Sequence, residues 1–198
     1  MIKLLGEIND NTKTIYEYFN LAQESGELNA DACAVSTISK NNSPDTRFVN
    51  IKYIENNDLI FFSNYNSTKS MQINLNNNAC LVFYWKKINI QIRMRGIISK
   101  TSEEFSDQHF NGRSFEKNIA AIISKQSQEI ESYEKIIESY DTFLENNQNK
   151  DIERPNYWGG FKFSYDNFEI WKGSDFRLNE RYLFERVDGE WLCKTLQP

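Results

Sequence analysis

INIQIRMRGII, residues 88–98, alternates apolar Ile88, Ile90, Ile92 and Met94 with polar Asn89, Gln91, Arg93 and Arg95. Successive side chains of a strand point to opposite faces, so this period of two predicts a strand with one buried face and one polar face. Gly96 interrupts the alternation and predicts a bulge or bend. The apolar run at 79–85 reads as a neighbouring strand. Working outward to the N-terminus, 59–63, 46–53 and 32–39 read as strands, separated by turn residues at 56–58 and 41–45. A short helix is expected over 67–75. Ile15, Tyr18, Phe19 and Ala22 predict a helix over 12–24, stopped at Gly26. Toward the C-terminus, 102–110, 118–125 and 130–144 read as helices, and the polar stretch 145–154 as a loop. After Pro155 come strands at 161–164, 168–171, 182–186 and 191–195. The last two are joined by a hairpin turn with Asp188-Gly189 at its centre. Seven or eight strands bracketing a helical insert predict one α+β domain built on a barrel.

Composition narrows the function. Aromatic residues make up 14% of the 198-residue chain, which suits pleated, half-buried sheet. A net charge of −5 argues against non-specific nucleic-acid binding. No apolar run approaches the roughly 18–20 residues of a membrane span, and the first residues are unlike a signal peptide, so a cytoplasmic location is expected. The three cysteines, Cys33, Cys80 and Cys193, form no CxxC pair. Cys80 and Cys193 lie in apolar runs and read as buried thiols of a reducing compartment. His109 is the single histidine, which excludes a His-rich metal site; no metal is expected. GxSxG, GxxxxGK[ST] and GxGxxG are all absent from the sequence. An enzyme with this inventory takes its chemistry from a cofactor.

Four polar clusters stand out, each with two readings. Arg47 and Lys52 lie five apart, on opposite faces of a regular strand. Ser63-Asn64-Tyr65-Asn66-Ser67-Thr68-Lys69 joins hydroxyls, a lysine and a helix start, which suits a phosphate; it equally suits a helix cap with a solvated lysine. Ser124-Lys125-Gln126-Ser127 is a polar site or simply a helix end. Trp171 to Arg181 sets arginine forks beside an indole, or forms an ion-paired surface turn.

In order and spacing these clusters resemble the pyridoxamine 5′-phosphate oxidase family. The matching pieces are RFVNIK (47–52), FFSNYNSTKS (61–70), YW (84–85), QIRMRG (91–96), SKQS (124–127), YWGGFKFS (157–164), FEIWKG (168–173), RLNER (177–181) and the terminal LQP. The resemblance runs from about residue 32 to the C-terminus. It implies an FMN-binding split β-barrel with peripheral helices, homodimeric, with FMN at the dimer interface. It implies a single domain over 1–198, with a helical segment at 1–30, a helical insert at 102–147 and a dimerisation and substrate region at 155–198. By the same resemblance Arg47 and Lys69 hold the FMN phosphate beside Ser67 and Thr68, and Lys52, Phe62 and Ser63 line the flavin. Gln91, Gln126, Ser127, Trp171 and Arg181 complete that site, some from the second subunit. Thr68 stands where the family has a second basic residue, and Phe62 where it often has Tyr.

For the substrate, the resemblance implies Lys52, His109, Arg113, Lys117, Arg177 and Asn179. His109 and Lys117 replace a tyrosine and a serine, and Asn179 replaces a histidine. Arg177 and Asn179 are the expected catalytic positions. The implied reaction is oxidation of pyridoxamine or pyridoxine 5′-phosphate to pyridoxal 5′-phosphate. Hydride passes to flavin N5, and O₂ is the final acceptor. The substituted positions keep two alternatives open. One is a related FMN-dependent oxidoreductase acting on another small anionic or tricyclic substrate, as in phenazine biosynthesis. The other is a non-catalytic binder of FMN or pyridoxal phosphate.

Overall fold

In the computed structural model, which describes residues 1–148 and 150–198, the stretch that opened the reading forms β7 (Ile90–Lys100). Its buried residues Ile90, Ile92 and Met94 alternate with Gln91, Arg93 and Arg95 on the other face. It lies between β6 (Asn78–Trp85) and β8 (Trp158–Lys172), antiparallel to both. The register with β8 shifts between Arg95 and Gly96. A side chain at Gly96 would run into the backbone of Ser164 and Tyr165. This bulge lets β8 run unbroken for 15 residues where two separate strands were expected, because the polar Tyr165-Asp166-Asn167 break is absorbed as a bend.

The remaining strands are β1 (Lys3–Leu5), β2 (Ala32–Ile38), β3 (Pro44–Asn50), β4 (Tyr53–Glu55), β5 (Asp58–Asn64), β9 (Glu180–Val187) and β10 (Glu190–Leu196). The sheet order is β1-β4-β5-β8-β7-β6-β2-β3, with β9 also on β8 and β10 on β9. The single strand expected over 46–53 is therefore two. β3 ends one side of the sheet and β4 lies at the other, joined only by Ile51 and Lys52. Ile51 N–H donates to Asp31 O and Lys52 N–H to Ile60 O, both at 2.8 Å, so the chain crosses the gap where the sheet curls round on itself. β1, parallel to β4, was not anticipated in the N-terminal segment. A three-residue strand is too short to show a period.

α1 (Asp10–Glu24) starts where Asn9 caps the Thr12 N–H and buries Thr12, Ile15, Phe19 and Ala22 against the barrel. The core lies inside the curl, with Phe61, Phe83, Trp85, Phe161, Phe163 and Phe168 almost fully buried. The insert carries α3 (Glu103–Asn111), α4 (Phe115–Ile123) and α5 (Tyr133–Asn146); α2 (Thr68–Leu75) follows β5. Phe110, Ala121 and Trp158 make a second, smaller core beneath the insert.

The cysteine expectation is corrected. Cys33 is buried, Cys80 is half-buried and Cys193 is exposed, since β10 belongs to an outer hairpin with little above it. No helix among the described residues is long and apolar enough to cross a membrane.

Candidate active site

The first polar group gathers where β5 hands over to α2. Lys69, in the first turn of α2, is only 7% exposed. Its Nζ donates to Ser63 Oγ at 2.8 Å and to Ser67 Oγ at 3.1 Å. No carboxylate pairs with it among the described residues. Burial, then the nearby Arg47 charge, lowers its pKa to about 8. The reading of this stretch as a cap with a solvated lysine does not hold. The lysine is buried, and Ser67 makes no side-chain cap bond. Arg47 on β3 donates to Thr37 Oγ1 at 2.6 Å and to Gln72 Oε1 at 3.2 Å, and pairs with Asp45 at 2.6 Å.

Beyond α4, the loop with Gln126 and Ser127 folds back onto this group. Gln126 Oε1 accepts from Ser63 Oγ and the Asn64 N–H, and Ser127 Oγ accepts from the Thr68 N–H. Ser127 sits at φ +72, a left-handed turn that aims the loop. Arg47, Thr68, Lys69, Gln126 and Ser127 line an open cavity of about 410 Å³, and Asp45, the partner of Arg47, shares that lining. Two cations, hydroxyls and a helix start facing one cavity suit a phosphate group.

The second group adjoins the first, since Gln126 also lines a cavity of about 190 Å³ with Arg113, Lys117 and Trp158. α3 places His109 flat on Phe62, ring centroids 3.6 Å apart. Tyr53 Oη lies 2.9 Å from His109 Nδ1. Burial is the main cause, with Arg113, Lys52 and Lys3 adding to it, of a His109 pKa lowered to about 4. The Arg113 guanidinium lies 4.4 Å from the Trp158 ring and donates to Lys117 O at 2.8 Å. Its Nη1 is buried without a partner among the described residues. Lys52 Nζ donates to Asp31 Oδ2 at 2.7 Å. Tyr53, Asp31, Gln72 and Trp158 were given no role by the sequence. Gln72 shares α2 with Lys69 and Tyr53 follows Lys52, while Asp31 and Trp158 reach the site from stretches distant in the chain.

The third group is a row across three strands. Gln91 on β7 pairs in register with Trp171 on β8, which pairs with Arg181 on β9. Arg181 Nε donates to the buried Glu169, which also receives Arg93. Arg177 follows in the loop before β9, and Asn179 Oδ1 accepts from the Ser174 N–H, closing that loop. This row lies at the far end of β8 from Ser63, whose partner there is Gly159. At about 3.3 Å per residue, twelve residues of strand separate the two by up to roughly 40 Å. One chain brings together Arg47, Lys52, Phe62, Ser63, Ser67, Thr68, Lys69, His109, Arg113, Lys117, Gln126 and Ser127. It keeps Gln91, Trp171, Arg177, Asn179 and Arg181 apart from them.

Residues 23–138 match the family model described as pyridoxamine 5′-phosphate oxidase. The chain belongs to the pyridoxamine 5′-phosphate oxidase family. Residues 158–198 match the pyridoxine 5′-phosphate oxidase C-terminal dimerisation region. A pyridoxine/pyridoxamine 5′-phosphate oxidase of Leptospira biflexa is 35% identical over 91% of this chain and 85% of its own length. One of Legionella pneumophila is 38% identical over 84% and 78%. PhzG from Burkholderia lata 383, solved in complex with tetrahydrophenazine-1-carboxylic acid, superposes with a TM-score of 0.88 at 22% identity, covering 94% of this chain and 91% of its own. A pyridoxamine 5′-phosphate oxidase-related, FMN binding protein from Nostoc punctiforme gives a TM-score of 0.78 at 15% identity, covering 98% and 100%. At these identities the two structures establish the fold alone. As a member of the pyridoxamine 5′-phosphate oxidase family the chain is an FMN-dependent oxidase. Its fold is the dimer-forming, α+β split β-barrel with peripheral helices.

Proposed function

We propose that this oxidase converts pyridoxamine or pyridoxine 5′-phosphate to pyridoxal 5′-phosphate with O₂ as electron acceptor. The observation that carries the reading is the Nη1 of Arg113, without a partner among the described residues and buried against Trp158 in a cavity next to the Lys69 cradle. Two anion-seeking groups side by side match a cofactor phosphate and a substrate phosphate. Relatives named for these vitamers, at 35% and 38% identity, support the same substrate class.

The residues present fit FMN. A buried lysine with two hydroxyls and no carboxylate lacks only an anion, and Arg47 stands beside it. On this reading Arg47, Ser67, Thr68 and Lys69 hold the FMN phosphate, and Lys52, Phe62, Ser63, Gln126 and Ser127 line the flavin. When bound, FMN supplies the hydride acceptor. The chain's own work is to bind, orient and exclude water. Arg113, Lys117 and His109 anchor the substrate anion. Gln91, Trp171 and Arg181 come from the second copy of a homodimer, which places FMN at the interface. Arg177 and Asn179 then face the substrate from that copy. The single domain keeps 1–30, 102–147 and 155–198 as its N-terminal, insert and dimerisation regions. Its three free cysteines suit a reducing cytoplasm.

The test is anaerobic reduction. The FMN-loaded protein is mixed without O₂ with each vitamer phosphate in turn. Loss of the visible flavin band, restored by air, is the expected result. A flavin that stays oxidised with both moves the substrate to another small anion, the alternative that Asn179 in place of histidine favours.

A further inference from the structure

Tyr53 belongs to none of the motifs, yet it makes the one hydrogen bond that the His109 side chain has among the described residues. Its ring also packs edge-on against His109, Phe105 and Phe62, at centroid distances of 5.4, 5.4 and 6.1 Å. We propose that Tyr53 is a positioning residue, donating its O–H to His109 Nδ1 so that the imidazole carries its proton on Nε2 and offers it to the substrate's anionic group beside Arg113. This rests on the proposed substrate reading and deepens it.

Three observations carry the assignment. The Tyr53 hydroxyl has no other partner among the described residues, so a single bond satisfies both groups when the phenol donates. His109 is held flat by Phe62, so its ring cannot turn to put Cδ2 in place of Nδ1 beside the Tyr53 hydroxyl without breaking the stack on the way. Nε2 has no partner among the described residues and is not fully buried. The charged and titratable groups facing this ring are Lys3 from β1, Lys52 from the β3–β4 link, Arg113 after α3 and Tyr53 from β4; Phe62, Phe105 and Trp158 close the rest. Burial and three cations, of which Lys52 is paired with Asp31, disfavour a further positive charge, in keeping with the low His109 pKa and with Tyr53 raised by burial. A neutral imidazole offers one N–H, and the tautomer decides where it points.

Because His109 is the single histidine, ¹⁵N-histidine labelling of the FMN-loaded protein gives one imidazole in the NMR spectrum. The expected result at neutral pH is an unprotonated Nδ1 and a protonated Nε2, with the Nε2 signal moved by pyridoxine 5′-phosphate under anaerobic conditions. Tyr53→Phe keeps the ring, and there the imidazole is expected to average between tautomers. KM for that substrate is expected to rise about 5- to 20-fold, with kcat within about twofold. In a His109→Phe background, Tyr53→Phe should change KM less than about twofold. A proton on Nδ1 in the wild type, or an unaltered tautomer in Tyr53→Phe, overturns the inference even when the flavin is reduced by both vitamers. An Nε2–H signal untouched by either vitamer, with no flavin reduction, overturns the function and the donor role together.

Discussion

Glu169, 4% exposed on β8, accepts the Nε–H of Arg181 from the adjacent β9 at 2.7 Å. Its second oxygen accepts from Arg93 at 2.6 Å, so one buried carboxylate holds two arginines on the face that also carries Trp171 and Gln91. The bond to Arg181, with Arg93 adding, holds the Glu169 carboxyl below its ordinary range. A depressed carboxylate pKa contributes stability that is present above the unfolded value, about 4.3, and is lost as pH falls through the folded one. Glu169→Gln should lower stability by about 1–2 kcal/mol at pH 7. That is less than the roughly 3–5 of a fully buried broken pair, because both arginines reach solvent. It should also flatten the acid limb of the stability curve. Thermal melts of both proteins between pH 3 and about pH 7 check this; an unchanged acid limb would remove the assignment.

Lys69 links FMN binding to pH. Its folded pKa of about 8 lies below the unfolded value near 10.4, so between these the unfolded chain binds more protons. Apoprotein stability should therefore rise with pH across that window, while FMN affinity falls because the lysine loses its charge. Lys69→Met should abolish both trends. Flavin fluorescence titrations from pH 7 to about pH 10 read the second directly. An affinity that stays level across the window would show that Lys69 does not face the phosphate.

Arg113 should separate substrate from cofactor. A hydrogen bond between charged groups contributes roughly 1.5–3 kcal/mol, so Arg113→Ala should raise KM about 10- to 100-fold. FMN content should barely change, since Lys69 and Arg47 are untouched. Arg113→Lys should recover little, because a point charge neither lies flat on Trp158 nor offers a fork. Equal loss of FMN and of substrate binding would refute this division.

Gly159 tests the packing beneath the site. A methyl there would collide with the Tyr65 hydroxyl and Ser106. Ser106 is fully buried and receives the Gly160 N–H. Overpacking of this kind costs roughly 1–3 kcal/mol. Gly159→Ala should lower the denaturation midpoint accordingly; an unshifted midpoint would mean the β5–β8 contact is looser than it looks.

Much of this molecule was legible locally. The alternation of Ile90 to Met94 is the strand it predicts, and Gly96 is its bulge. The apolar spacing of Ile15, Phe19 and Ala22 is the buried stripe of α1. Lys69, Gln126 and Arg181 lie in the motifs that carry the resemblance, and Arg113 is a position the resemblance implies. The errors share one origin. Residues 46–53 were expected as one strand because each is compatible with extended chain. They divide because Ile51 and Lys52 must bond to Asp31 and Ile60 across the barrel gap. Cys193 sits in an apolar run, and its place on β10, which pairs only with β9, leaves it exposed in the single chain.

The site divides along the same line. Which residue types are available follows from the sequence, because a helix start, a strand period or a turn is set by neighbours within a few positions. Which residues act together was decided by the tertiary structure. Tyr53 reaches His109 across 56 positions and Arg93 reaches Glu169 across 76. Trp171 is carried to the opposite end of β8 from Ser63. Contacts at such separations depend on sheet order, register and curl. These arise from burying one face of many strands around a shared core at once, and no short stretch of chain encodes them alone.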